Sequence, residues 1–193
     1  MAKKNVRALW AAKIAGRLPQ KKDSEVLLPG QGKPFRGVVL GIDPSLSGTG
    51  LAVLDIKQNF PEHLLYSRTV KTNPKLPMSV RLVEIAHAVT QTLLDFPVDH
   101  VAVEEIIYVQ NFQIALKLGA VRGAVITAAG LRELPVYEYS PLRIKQAVVG
   151  YGRANKEQVI RQISGLLSLK KDLPSDEADA AAVALCHAQT HRE

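Results

Sequence analysis

Apolar residues along this chain alternate between two spacings. Val38, Val39, Leu40 and Ile42 form a short, charge-free, β-branched run, which is the composition of a buried strand. Asp43, Pro44 and a Ser/Gly-rich turn follow, and Leu51, Ala52, Val53 and Leu54 resume the run. The spacing predicts two antiparallel strands joined by that turn, with a third around Leu64 to Val70. The period then lengthens. Leu82, Ile85, Ala86, Val89 and Leu93 share one face of a predicted helix that Ser79 can cap and Pro97 closes. Val98 to Val103 is a further apolar β run ending in Glu104 and Glu105. Phe112 to Leu131 reads as a helix rich in alanine and leucine, and Gly119, Gly123 and Gly130 on it permit close packing, within the chain or across a dimer. Pro135 to Tyr139 is a short strand, and helices over Pro141–Val149 and Lys156–Leu167 flank the loop Gly150–Asn155. A last helix runs from Ser175 to about His187 with alanine over its inner face. Three antiparallel strands followed by helix–strand crossovers predict an α/β fold, a five-stranded mixed sheet with helices on both faces.

Charge separates the start of the chain from the rest. Residues 1–22 hold seven basic residues and no acid; the other 18 of the 25 basic residues balance 18 acidic ones, although the whole chain is +7. Val6, Leu9, Trp10 and Ile14 fall at helical spacing among lysines and arginines, and Pro19, Pro29, Gly30, Gly32 and Pro34 then interrupt the chain. The expectation is a basic, mobile N-terminal extension over residues 1–36 and a folded domain over 37–193. Such an extension suits a polyanion; an organelle-targeting peptide and a segment without function are the competing readings. Lys13 and Arg17 break any secretory h-region. The neutral body calls for a local basic patch if it binds nucleic acid. Cys186, the one cysteine, rules out an intramolecular disulfide and fits a reducing compartment. No apolar run approaches the roughly 20 residues of a membrane helix, so no membrane partner is expected.

Four acids stand at element boundaries. Asp43 ends the first predicted strand, Glu104 ends the fourth, and Asp176 and Asp179 open the last helix at a spacing that places both on one side of its first turn. Each has an ordinary explanation. Asp43 can accept hydrogen bonds from its turn, and the helix dipole favours Asp176 and Glu177 where they are. Alanines around Asp179 imply burial, where the dipole is a weaker reason. If the first and fourth strands are neighbours, Asp43 and Glu104 lie side by side, and clustered carboxylates repel unless a cation neutralises them. Hard oxygen ligands select Mg²⁺ or Mn²⁺. Two such ions roughly 4 Å apart stabilise the attacking and leaving oxygens of a phosphodiester.

The segments GIDPSLSGTG (41–50), AVEE (102–105), ALKLGAVRG (115–123), LPVYEYSPLRIKQAVVGYGRANK (134–156) and DEADAAAVALCHAQTH (176–191) resemble, in order, the RuvC family of Holliday-junction resolvases. The resemblance covers about residues 37–191 and implies a ribonuclease-H-like fold. Position by position it implies that Asp43, Glu104, Asp176 and Asp179 are catalytic, metal-binding acids for two Mg²⁺ ions, with Mn²⁺ as a substitute. It implies a metal-dependent endonuclease of recombination and repair that nicks two symmetric strands of a four-way DNA junction. One ion would activate water and the other stabilise the leaving 3′-oxygen, giving 5′-phosphate and 3′-hydroxyl ends. A homodimer, formed through the helix over Phe112–Leu131, follows from the need for two nicks. Branch-migration proteins are implied partners, and a bacterial cytoplasm the implied location, with organelle targeting by the N-terminal segment left open. Lys145 and Lys156 match the family's DNA-contacting lysines. Arg143 and Arg153 extend their patch, and Tyr108, Gln110 and Asn111 fall on a loop where the family meets the crossover.

Two departures stand out. Ser45 replaces a glycine after the Asp-Pro pair, which is harmless at negative φ. Ile107 replaces a common aromatic residue, with Tyr108 next to it, so the family's cleavage-sequence preference does not carry over. Glu105 reads as a neighbour on the other side of its strand, Glu177 as solvated, His187 and His191 as structural or exposed, and Cys186 as a buried apolar residue. Two alternatives compete. A non-catalytic junction-binding protein is disfavoured by four acids that would repel phosphates. An actin-like ATP-binding protein shares an Asp followed by a Ser/Gly/Thr turn, but needs two lobes that about 155 residues hardly supply.

Overall fold

The computed structural model describes residues 32–57, 62–106, 111–150 and 155–193. Residues 1–31, Tyr108, Gln110 and Arg153 lie outside them. Among the described residues the strands are β1 (Gly37–Asp43), β2 (Gly48–Ile56), β3 (His63–Lys71), β4 (His100–Glu104) and β5 (Val136–Tyr139). They form one sheet in the order β3-β2-β1-β4-β5. β1, β2 and β3 pair antiparallel, while β4 lies parallel to β1 and β5 parallel to β4. The helices are α1 (Met78–Asp95), α2 (Phe112–Gly130), α3 (Pro141–Val149), α4 (Lys156–Leu166) and α5 (Ser175–Thr190).

Strand parity sorts the core into two layers. Leu40, Ile42, Leu51, Val53, Val101 and Val103 pack with α1 and α2. Val39, Ala52, Leu54 and Ala102 face the other way, toward α3, α4 and α5. Successive strand side chains point to opposite faces, so the large β-branched residues meet one pair of helices and smaller residues meet the alanine face of α5. α5 is buried at Ala178 and at every position from Ala180 to Ala188. A helix buried all round needs an apolar surface all round, and this one supplies it with alanine.

Element ends differ from expectation in small ways. Pro77, not Ser79, precedes α1, and no side chain caps it. α5 continues past His187 to Thr190. By length and composition α2 is apolar enough to cross a bilayer, with a mean hydropathy of 1.3, which corrects the expectation that no apolar stretch approaches that length. It is nevertheless an element of this fold: Val121, Val125, Ala128 and Ala129 are buried, and Arg122 pairs with Glu138 of β5.

The first residues of the folded domain meet its last ones near the start of β4. Lys33 and Glu193 exchange backbone hydrogen bonds of 3.0 Å each way, and Pro34 bridges Arg192. Phe35 is fully buried, stacked on His100 at 4.6 Å and edge-on to His187 at 4.8 Å. Lys33–Arg36, assigned from sequence to the extension, therefore pack on the domain. His187, read from sequence as structural or exposed, is fully buried, and that burial, with His191 and His100 beside it, holds its imidazole down to about 3.

Candidate metal centre

Two of the four acids are aligned by the sheet. β1 and β4 run parallel with Ile42 opposite Val103, so Asp43 and Glu104 end adjacent strands side by side. Their parity matches Gly41 and Ala102, on the face that α5 covers. The other two come from the first turn of α5. Glycine makes that approach possible: a Cβ on Gly41 would collide with the Ala180 carbonyl, and one on Gly50 with the Asp176 carbonyl. A Cβ on Gly48 would stand 2.8 Å from Asp176 Oδ2. The glycines of the first motif are thus the floor on which Asp176 and Asp179 rest.

The turn after Asp43 is fixed from below. Thr49, fully buried, donates its hydroxyl to the Ser45 carbonyl at 2.6 Å and accepts from the Ser45 amide at 3.3 Å. Ser45 is not among the described residues with positive φ, so the serine in place of glycine costs no strain. Arg81 and Thr72 both donate to the Leu46 carbonyl, at 3.0 and 2.5 Å.

The convergence is felt by Asp43 and Glu104. Burial, then the charge of Glu104, pushes Asp43 up to about 8, with a hydrogen bond to Glu104 and the charges of Asp179 and Asp176 adding to it. Burial raises Glu104 too, against the opposing effects of its hydrogen bond to Asp43 and of Lys145 and Lys156. The two carboxyls share a proton because both cannot ionise side by side in a half-buried site. Lys156 Nζ lies 2.8 Å from Asp179 Oδ2, and this contact raises the lysine. A half-buried set of four carboxylates in which the Asp43–Glu104 pair retains a proton fits a hard divalent cation, which would displace that proton and neutralise the cluster.

The surroundings suit a polyanion. One groove runs from Glu104 and Asp179 past Lys145 and Lys156. An adjoining one joins Asp43, Asp176 and Asp179 to Ser45, Ser47, Lys71 and Lys156. Lys71 and Thr49 were missed by the sequence reading; a lysine ending a strand and a threonine within one carry no pattern of their own. Arg143 holds its guanidinium 5.0 Å above the Tyr139 ring and is not among the residues that line these two grooves. Asn111 caps α2, accepting from the amides of Gln113 and Ile114 at 3.0 and 3.2 Å. Glu105 lines a third groove with Asp43 and Glu104. Glu177 accepts a 2.5 Å hydrogen bond from Ser67, which corrects its reading as solvated.

Residues 39–187 match the family model of the crossover junction endodeoxyribonuclease RuvC. The crossover junction endodeoxyribonuclease RuvC of Desulforamulus reducens is 40% identical over 153 residues, spanning 79% of this chain and 93% of its own. That of Vibrio cholerae is 43% identical over 157 residues, 80% of this chain and 88% of its own. Among solved structures, Thermus thermophilus RuvC in complex with a Holliday junction substrate superposes with a TM-score of 0.76 at 41% identity, covering 80% of this chain and 94% of that one. With the ribonuclease-H-like sheet order and the four converging acids, these matches establish that the chain belongs to the RuvC family of crossover junction endodeoxyribonucleases.

Proposed function

We propose that this chain resolves four-way DNA junctions by paired symmetric nicks, using Asp43, Glu104, Asp176 and Asp179 as its catalytic acids. The observation that carries the reading is their convergence: two strand ends and one helix turn, far apart in sequence, place Glu104, Asp176 and Asp179 close enough to raise Asp43. These carboxylates would hold two Mg²⁺ ions, or Mn²⁺ in their place, whose charge stabilises the attacking and leaving oxygens of an in-line displacement. The protein's own share is positional. Asp43 and Glu104 are rigid because they end paired strands, and Asp176 and Asp179 because α5 is buried. Lys71, Lys145 and Lys156 line the grooves beside the acids, where ammonium groups bind a DNA backbone by counterion release. Tyr108, Asn111 and Arg153 are proposed to contact the junction as well, and Arg143 to bind the backbone at its edge. The products are a 5′-phosphate and a 3′-hydroxyl.

Two cuts call for two centres, and α2 offers the dimer surface. Phe112, 69% exposed, and Leu116, 52% exposed, lie in line with Gly119 and Gly123, spaced three and four residues apart along one helix face. Among the described residues, a Cβ at Gly119 or Gly123 would meet nothing within 4 Å, so these glycines make room for no described neighbour inside the domain. A homodimer packed helix on helix fits them. By family, branch-migration proteins are further partners and a bacterial cytoplasm the location. The basic N-terminal extension is proposed to add phosphate affinity.

The test is a synthetic four-way junction with Mg²⁺. Symmetric nicks that ligase seals support the proposal, and ends carrying a 3′-phosphate refute it. Tight junction binding with no nicking under any divalent metal would instead favour a binding protein.

A further inference from the structure

Three of the chain's five histidines gather at the end of the sheet opposite the acids. His100 opens β4, whose last residue is Glu104, so the two lie about 13 Å apart along the strand. His187 comes from the last turn of α5 and His191 follows that helix. One ring nitrogen from each falls within 4.8 Å of the others. His100 Nδ1 and His187 Nε2 face each other at 2.9 Å. Imidazoles bound to one ion at about 2.0–2.1 Å stand roughly 2.9–3.4 Å apart, so this pair is at coordination spacing. His191 stacks on His187 at 4.6 Å and 14°, and among the described residues its ring nitrogens have no hydrogen-bond partner. The Tyr139 hydroxyl lies 2.8 Å from His187 Nδ1. By accepting from that nitrogen it would fix the tautomer with Nε2 free as a ligand, the usual outer-shell device of metal-bound histidine.

We infer that His100, His187 and His191 form a site for one transition-metal ion, Zn²⁺ in the first instance, separate from the nuclease centre. Imidazole selects Zn²⁺, Ni²⁺ or Cu²⁺ over Mg²⁺, whereas the four carboxylates have the opposite preference, so the two sites sort their metals by ligand chemistry. The exposed sides of His100 and His191 leave a route for the ion and room for a water as fourth ligand. Bound there, the ion clasps the start of β4, the end of α5 and the paired chain ends at Lys33 and Glu193 into one unit.

The experiment uses the full chain, stripped with a chelator and dialysed against Zn²⁺ with Mg²⁺ in large excess. The expected result is one Zn²⁺ retained per chain, a rise in melting temperature, and a visible ligand-field band when Co²⁺ replaces Zn²⁺. His191→Gln, at the partly exposed tail, should weaken Zn²⁺ binding by tenfold or more while leaving Mg²⁺-dependent nicking unchanged. Tyr139→Phe, which keeps all three ligands, should weaken it by about tenfold. His63→Gln and His87→Gln should change nothing. Three results would overturn the inference: no Zn²⁺ retained by the unaltered chain, equal retention by the His100→Gln/His191→Gln double variant, or displacement of the Zn²⁺ by Mg²⁺, which would place it among the carboxylates.

Discussion

Asp43 carries the most consequential charge in the molecule. Because burial and Glu104 push it up to about 8, the metal-free centre keeps a proton at neutral pH. A divalent cation must displace that proton, so its affinity should rise about tenfold per pH unit and level off above about 8. Calorimetric Mg²⁺ titrations in buffers of different ionisation enthalpy would register the released proton; heats independent of buffer would contradict it. Asp43→Asn should lower the nicking rate on the order of a thousandfold, measured on a labelled junction, while junction binding survives. His187 makes the stability of the metal-free fold depend on pH as well. Its folded form is held down to about 3 by burial, against about 6.5 in an unfolded chain. The unfolded state therefore takes up the extra proton as pH falls. Stability is complete above about 6.5 and should decline by about 1.4 kcal/mol per unit below it until about 3. Urea unfolding across that range would show the slope, and His187→Gln should flatten it.

At the scale of elements, the site depends on how closely α5 lies on β1 and β2. Gly50→Ala places a methyl group on the Asp176 carbonyl, and the helix must lift. Overpacking of this kind costs about 1–3 kcal/mol, read as a shift in the urea midpoint, and nicking should fall more steeply because Asp176 and Asp179 lift with the helix. Much of this was legible beforehand. The parity of residues 41 and 43, and of 102 and 104, is fixed by strand geometry, and the i, i+3 pair on α5 is fixed by helix geometry. What was not legible depends on contacts between distant segments. Thr49 locks the turn through its own hydroxyl, Glu177 meets Ser67, and Phe35 is buried against histidines. The start of α1 was misplaced because a capping serine at position 79 outweighed a proline at 77, and proline is well suited to the chain just ahead of a helix. The stacking of Arg143 on Tyr139 likewise joins two elements and leaves no mark on the sequence.

For the whole molecule, the sheet separates two tasks. α5 and the acids occupy one face, and α1 and α2 cover the other, so a dimer built through α2 leaves both centres uncovered by their own helices. Leu116→Glu should convert the proposed dimer to monomers in sedimentation velocity, leave the fold intact, and replace paired cuts by independent single nicks. Removal of residues 1–32 should spare the domain, whose burial begins near Phe35, and should make the dependence of junction affinity on salt shallower. The backbone ladder between Lys33 and Glu193 has one more implication. It makes the domain almost an unbroken loop of polypeptide, so the positions of its first and last residues are a matter of gene layout rather than of architecture. A rearranged gene that fuses position 193 to position 33 and starts translation in a surface connection elsewhere should still yield an active nuclease.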